Sequence, residues 1–279
     1  MHCFLGPGRG KVQYMNERSL ARFGRLAAVC IWLVLAPAAG LAAEPEPAAV
    51  SAFNSYIRAV EARLDLQHKT QGTFLAGKAA RLAPGDLVIE KLYPNSDADF
   101  PGAMLHDWRG TAFAPGATVA DFERVMKDID AYPQRFSPQV VRAKVRGKAG
   151  DGIQASMRVR QKHVITVVMD IDYDLSFSRL DARHGDSASR GTHIAEISAA
   201  GTVSERALSP SEEHGFLWRL NTYWSYEERD GGLAMQIESV SLTRAIPTGL
   251  GWAVGPFVES VPRESLEFTL RSMVNALRK

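Results

Sequence analysis

The last third of the chain constrains the fold most. From Phe216 onward, two long segments alternate in character and then give way to a helix that runs to the C-terminus. Phe216, Trp218, Leu220, Thr222, Trp224 and Tyr226 share one face of the first segment, and Leu233, Met235 and Ile237 continue on the second. Period 2 puts successive side chains on opposite faces of a strand. Arg229-Asp230-Gly231-Gly232 between the segments is a hairpin signal. Pro247 stops the returning strand, and Pro262 suits the first turn of the final helix. Leu266, Leu270, Met273 and Leu277 give that helix an apolar stripe at helical spacing. Two strands feeding a long terminal helix predict a curved sheet wrapped around it, with room for a ligand between.

The rest of the chain supplies the remaining layers. Val50, Phe53, Ile57, Val60 and Leu64 predict an amphipathic helix over 48–64, and the stretch 65–84 is loop-rich. Strands are expected near 85–93 and 104–114. A helix over 119–129 follows, with Thr118 and Asp121 as a capping pair. From Gln139 the period is 2 again, clearest in Ile165, Val167, Met169, Ile171, Tyr173, Leu175 and Phe177. The stretch 180–191 reads as a turn-rich connection and 192–203 as a weaker strand. Strands joined by hairpins, with helices before and after, make an α+β fold on an antiparallel sheet.

The N-terminus reads as an export signal. Arg18, Arg22 and Arg25 precede an apolar run over 26–43 that closes on Gly40-Leu41-Ala42-Ala43. The run is short for a span of about 20 residues, and Pro37 interrupts it. Residues 1–14 do not resemble a signal start, so Met15 is a rival initiator. Both cysteines, Cys3 and Cys30, fall within 1–43, so the remaining 236 residues hold none and must rely on their core. Removing 1–43 also takes away five basic residues and one acidic, leaving 28 against 30. The basic character of the whole chain belongs to that segment and gives no support for nucleic-acid binding. The expected organisation is a signal peptide over 1–43, an N-terminal helix and loop over 44–84 and a main domain over 85–279, in a protein exported across the inner membrane to the periplasm.

The order of elements, with Ile246-Pro247-Thr248-Gly249-Leu250-Gly251-Trp252 and Val261-Pro262-Arg263-Glu264-Ser265-Leu266, resembles the START and polyketide-cyclase-like (SRPBCC) superfamily, and within it the secreted bacterial members. Supporting stretches are Trp108-Arg109-Gly110-Thr111-Ala112-Phe113-Ala114-Pro115-Gly116 and Asp130-Ala131-Tyr132-Pro133. The resemblance covers 85–279. It implies the helix-grip fold and a cavity rather than a catalytic signature.

The expected lining of that cavity is Met157, Met169, Tyr173, Phe177, Trp218, Trp224, Tyr226, Met235, Trp252, Leu266 and Leu270. Large adaptable side chains on a concave surface suit an apolar ligand, although any one of them serves equally well as plain core. The segment 249–260 reads as a hydrophobic clamp that seats the helix, as a lid over a cavity mouth, or as a patch in transient contact with a membrane surface. Asp170, Asp172 and Asp174 alternate with apolar residues and read as an outer strand face; a calcium loop would need a Gly turn and a further bidentate acid. The scattered histidines show no metal-ligand spacing, so no metal, cofactor or catalytic residue is assigned. The reading is a binding protein for a hydrophobic small molecule or lipid. Its rivals are a cyclase- or dehydratase-like enzyme, with His106, Tyr173 and Tyr226 as acid–base candidates, and an envelope scaffold that has no cavity.

Overall fold

A computed structural model describes residues 44–70, 72–77, 82, 85–93, 99–150, 152–162, 165–246 and 251–278, with the backbone alone at 149 and 251–259. The expected export signal over 1–43 and the side chain of Trp252 lie outside these residues.

The chain begins with α1 (Pro47–Lys69), which has Pro47 in its first turn and buries Ala49, Phe53, Ile57, Val60 and Leu64. The strands β1 (Leu87–Lys91) and β2 (Ala103–Pro115) follow. Next come α2 (Val119–Lys127), a 3-10 turn over Ile129–Ala131 and the short α3 (Tyr132–Arg135). The Thr118 side chain accepts from the Asp121 N–H while Asp121 accepts from the Thr118 N–H, so the expected cap is present. Then come β3 (Val140–Ala149), β4 (Gly152–Lys162), β5 (Thr166–Arg179), β6 (His184–Ser198), the two-residue β7 (Arg206–Ala207), β8 (Arg219–Arg229) and β9 (Gly232–Arg244). The chain ends in α4 (Gly251–Leu277).

All strand pairings are antiparallel, in the order β1-β2-β9-β8-β6-β5-β4-β3, with β7 beside β6. The β8–β9 hairpin turns at Asp230 and Gly231, both with positive φ, as a two-residue turn matched to strand twist requires. The sheet is open, curved and gripped around α4: the helix-grip arrangement.

Two apolar layers flank the sheet. The inner layer joins Trp108 and Ala112 of β2, Ile171, Tyr173 and Leu175 of β5, Trp224 and Tyr226 of β8, and Met235 and Ile237 of β9 to α2 and α4. The outer layer joins Leu105, Tyr223, Val240 and Leu242 to α1. Since residues i and i+1 of a strand face opposite ways, β2, β8 and β9 are buried on both faces. The first helix, which the resemblance left outside the domain, is therefore the cover of the convex face.

Two expectations need correction. The stretch 184–191, expected as a turn, is the first half of β6. Its Gly and Ser content reflects crowding: a Cβ on Gly185 would come within 2.5 Å of the Tyr226 ring. The terminal helix also starts earlier than expected, at Gly251, so Pro262 lies within it.

Candidate functional site

Between α4 and the inner faces of β4, β5, β8 and β9 lies a cleft of about 280 Å³. The strands β4 and β5 contribute an apolar wall of Met157, Val159, Met169, Ile171, Tyr173 and Leu175. From the side, Met126 of α2, Tyr132 of α3 and the adjacent Phe136 close it. The helix contributes Leu266, Phe268 and Met273. At the rim, Gln161 Nε2 donates to Ser265 Oγ at 3.0 Å and ties β4 to α4.

The fourth wall is different. The inner-facing residues of β9 change from Ile237 to Ser239, Ser241 and Thr243, and they meet Thr222 of β8 and Ser189 of β6. Thr243 Oγ1 lies 3.0 Å from His106 Nε2, which sets the buried imidazole of β2 beside this wall, on the same inner face. None of the described residues lining the cleft carries a formal charge. The phenols of Tyr132 and Tyr173 are pushed well above their ordinary value by burial, so both stay protonated. Tyr132 donates to the Met126 carbonyl at 2.7 Å.

Charge gathers on the other side of the sheet, under α1. Asp107, Arg109 and Glu238 point outward from β2 and β9, and Arg63 of α1 pairs with Glu238. Arg109 reaches the second Glu238 oxygen at 3.4 Å. The Tyr56 hydroxyl donates to Asp107 Oδ2 at 2.7 Å, while Asp107 Oδ1 is buried with no hydrogen-bond partner among the described residues. Burial, reinforced by the nearby Glu238 carboxylate, pushes the Asp107 carboxyl up to about 7. The chain after α1 is pinned here as well. Phe74 packs between His68 and His184, and the Gln236 amide bonds both N–H and C=O of Ala76. A second depression of about 260 Å³ lies beside this loop, lined by Phe74, His184, Glu227 and Arg229. Its polar groups are already engaged: His184 with Asp181, and Glu227 with Arg229. The inner cleft is therefore the stronger candidate.

Of the residues expected to line a cavity, Met157, Met169, Tyr173, Trp224 and Leu266 line the cleft. Tyr226, Met235 and Leu270 belong to the same inner layer but are packed core rather than described cleft lining, and the half-buried Phe177 packs against that core. Tyr226, fully buried, stacks on Phe122 and reaches Asp186 and Glu123, so it is a core residue rather than a cleft acid or base. Trp218 is a correction: it precedes β8, escapes the strand's alternation and packs in the outer layer. His106 and Asp107 face opposite ways, as neighbours on a strand must. The acids of β5 are on the outer face, where Arg158 pairs with Asp170 at 2.7 Å and Ser156 bonds Asp172. The hydroxyl wall was missed, although its signal was present: Ser239, Ser241 and Thr243 continue the parity of Leu233, Met235 and Ile237.

No family model matches the chain, and no curated protein matches it. Among solved structures it is similar to TTHA0849 from Thermus thermophilus at 12% identity, over 61% of this chain and 94% of that one, with a TM-score of 0.44. It is similar to a STAR-related lipid transfer protein from Xanthomonas axonopodis at 14% identity, over 66% and 98%, with a TM-score of 0.37. The Zhui aromatase/cyclase from Streptomyces sp. R1128 matches at 13% identity, over 61% and 92%, with a TM-score of 0.40. The fold is defined by the chain's own strand order and terminal helix.

Proposed function

We propose that this protein is an exported carrier that holds a hydrophobic small molecule or lipid in the cleft between sheet and terminal helix. The observation that carries this reading is the cleft itself: an apolar wall from β4 and β5, facing a helix whose described side chains leave the space open. Burial of apolar ligand surface contributes about 25 cal/mol per Å² before ordering costs. Export to the periplasm is supported by the basic and apolar pattern of 1–43. Purification without detergent, solvent extraction and mass spectrometry test the reading. A stoichiometric apolar compound is the expected result. Its absence, together with no saturable uptake of a neutral apolar dye, contradicts it.

A second reading, ring closure or dehydration in the same cleft, draws on one observation. His106 touches Thr243, a lining residue, and Tyr173 lines the same cleft as a protonated phenol. Turnover of an apolar substrate that is lost in both His106→Gln and Tyr173→Phe, with binding kept, would favour it.

A further inference from the structure

The hydroxyls of the cleft form a line. In the sheet register Ser189 of β6 is opposite Thr222 of β8, Thr222 is opposite Ser239 of β9, and Ser239 is opposite Trp108 of β2. These four residues make one row across four adjacent strands, perpendicular to the chain direction. With neighbouring strands about 4.8 Å apart, the row spans about 14 Å. Three of its members line the cleft. At the end of the row the Trp108 indole Nε1 is buried and has no hydrogen-bond partner among the described residues.

These groups are unused by the fold. Among the described residues, the side-chain hydroxyls of Ser189, Thr222, Ser239, Ser241 and Tyr173 make no hydrogen bond, yet none is sealed in the protein interior. A polar group in a largely apolar cleft is normally satisfied by something, and here that must be water or ligand. Charge is missing from the same place. The described lining holds no cation to receive a carboxylate or phosphate, and the sequence over 247–258 has no ionisable residue either. An anion buried there would lose its hydration with no counter-charge in return.

Resting on the carrier reading above, we infer that the cleft selects a neutral apolar molecule with hydroxyl or carbonyl oxygens along one edge, lying across the strands with those oxygens on the Ser189–Thr222–Ser239 row. Fatty acids and other apolar anions are the ligands it discriminates against. The Met-rich wall of β4 and β5 takes the hydrocarbon side, and the hydroxyl row fixes orientation.

Displacement of bound Nile red from the full chain at pH 7.5 tests this with 1-decanol, 1,10-decanediol and decanoate. Hydrophobicity alone ranks the diol below the mono-alcohol. The row predicts the reverse, with the diol at least as tight as 1-decanol and decanoate at least 10-fold weaker than 1-decanol. Thr222→Val and Ser239→Ala should each weaken the diol about 3- to 10-fold, the range for one lost neutral hydrogen bond. Decanoate binding as tightly as 1-decanol, or diol affinity unchanged in both variants, overturns the inference while leaving the carrier reading intact. No displacement by any of the three, with no saturable Nile red binding, overturns both.

Discussion

Leu270 of α4 rests directly on the bare backbone of Gly110 in β2, where a Cβ would come within 2.4 Å of Leu270 Cδ1 and 3.2 Å of Leu266 Cδ2. The helix is seated on the β1–β2 side of the sheet, and the free space is on its other flank, against β4, β5 and β8. The absent side chain at position 110 sets how closely the helix approaches. Gly110→Val should therefore act as overpacking and cost about 1–3 kcal/mol. Thermal unfolding reads this as a lowered Tm; an unchanged Tm would mean that the helix is not seated there.

Asp107 makes the stability of the outer layer depend on pH. Its carboxyl titrates at about 7 in the fold, against about 4 in an unfolded chain. Below pH 4 both states hold the proton. Between pH 4 and 7 only the folded state does, so folding takes up a proton and stability declines as pH rises across that window. Urea unfolding from pH 4 to 8 should show the wild type losing stability relative to Asp107→Asn. Parallel pH profiles for the two proteins would contradict this role for Asp107.

Glu238 holds two arginines of unequal burial. Its side chain is 3% exposed, that of Arg109 is 11% exposed and that of Arg63 is 40% exposed. Losing the acid strands the Arg109 charge in the sheet, whereas losing Arg63 leaves Glu238 paired with Arg109. Glu238→Ala should cost about 3–5 kcal/mol, as breaking a buried pair does. Arg63→Ala should cost about 1 kcal/mol or less, as at an exposed pair. Equal losses in chemical denaturation would mean that the pair under α1 does not have this geometry.

The two faces of the sheet should separate experimentally. Phe53 is 2% exposed in the outer layer and is not among the described residues that line the cleft. Phe53→Ala should lower stability by about 3–5 kcal/mol, yet leave ligand affinity within about 2-fold at a temperature where the variant is folded. A large drop in affinity in that variant would link the helix to the cleft.

Alternation made much of this legible. The β5 pattern from Val167 to Phe177 put Met169 and Tyr173 on the inner face and the acids outside, and α2 announced itself through Thr118 and Asp121. Trp218 escaped because parity cannot be counted through an irregular segment: Gly215 has positive φ and β8 begins only at Arg219. The first half of β6 escaped because Gly185, Ser187 and Ser189 are small where Tyr226 and the cleft need room, and small residues read as turn. The role of α1 was hidden for a different reason. Its apolar stripe was plain, but what it covers depends on Val240 and Leu242, which alternate with the cleft residues of the same strand.

The carrier reading stands or falls on whether the cleft is a ligand site or unfilled core. Val159 lines the β4 wall, and a Val159→Trp substitution would occupy much of the space. Nile red titration of wild type and variant, with Tm measured on each, distinguishes the two. Saturable one-to-one binding is expected in the wild type, with at least a 10-fold loss in Val159→Trp, whose Tm is maintained. Equal binding by the two folded proteins would contradict a ligand site in the cleft.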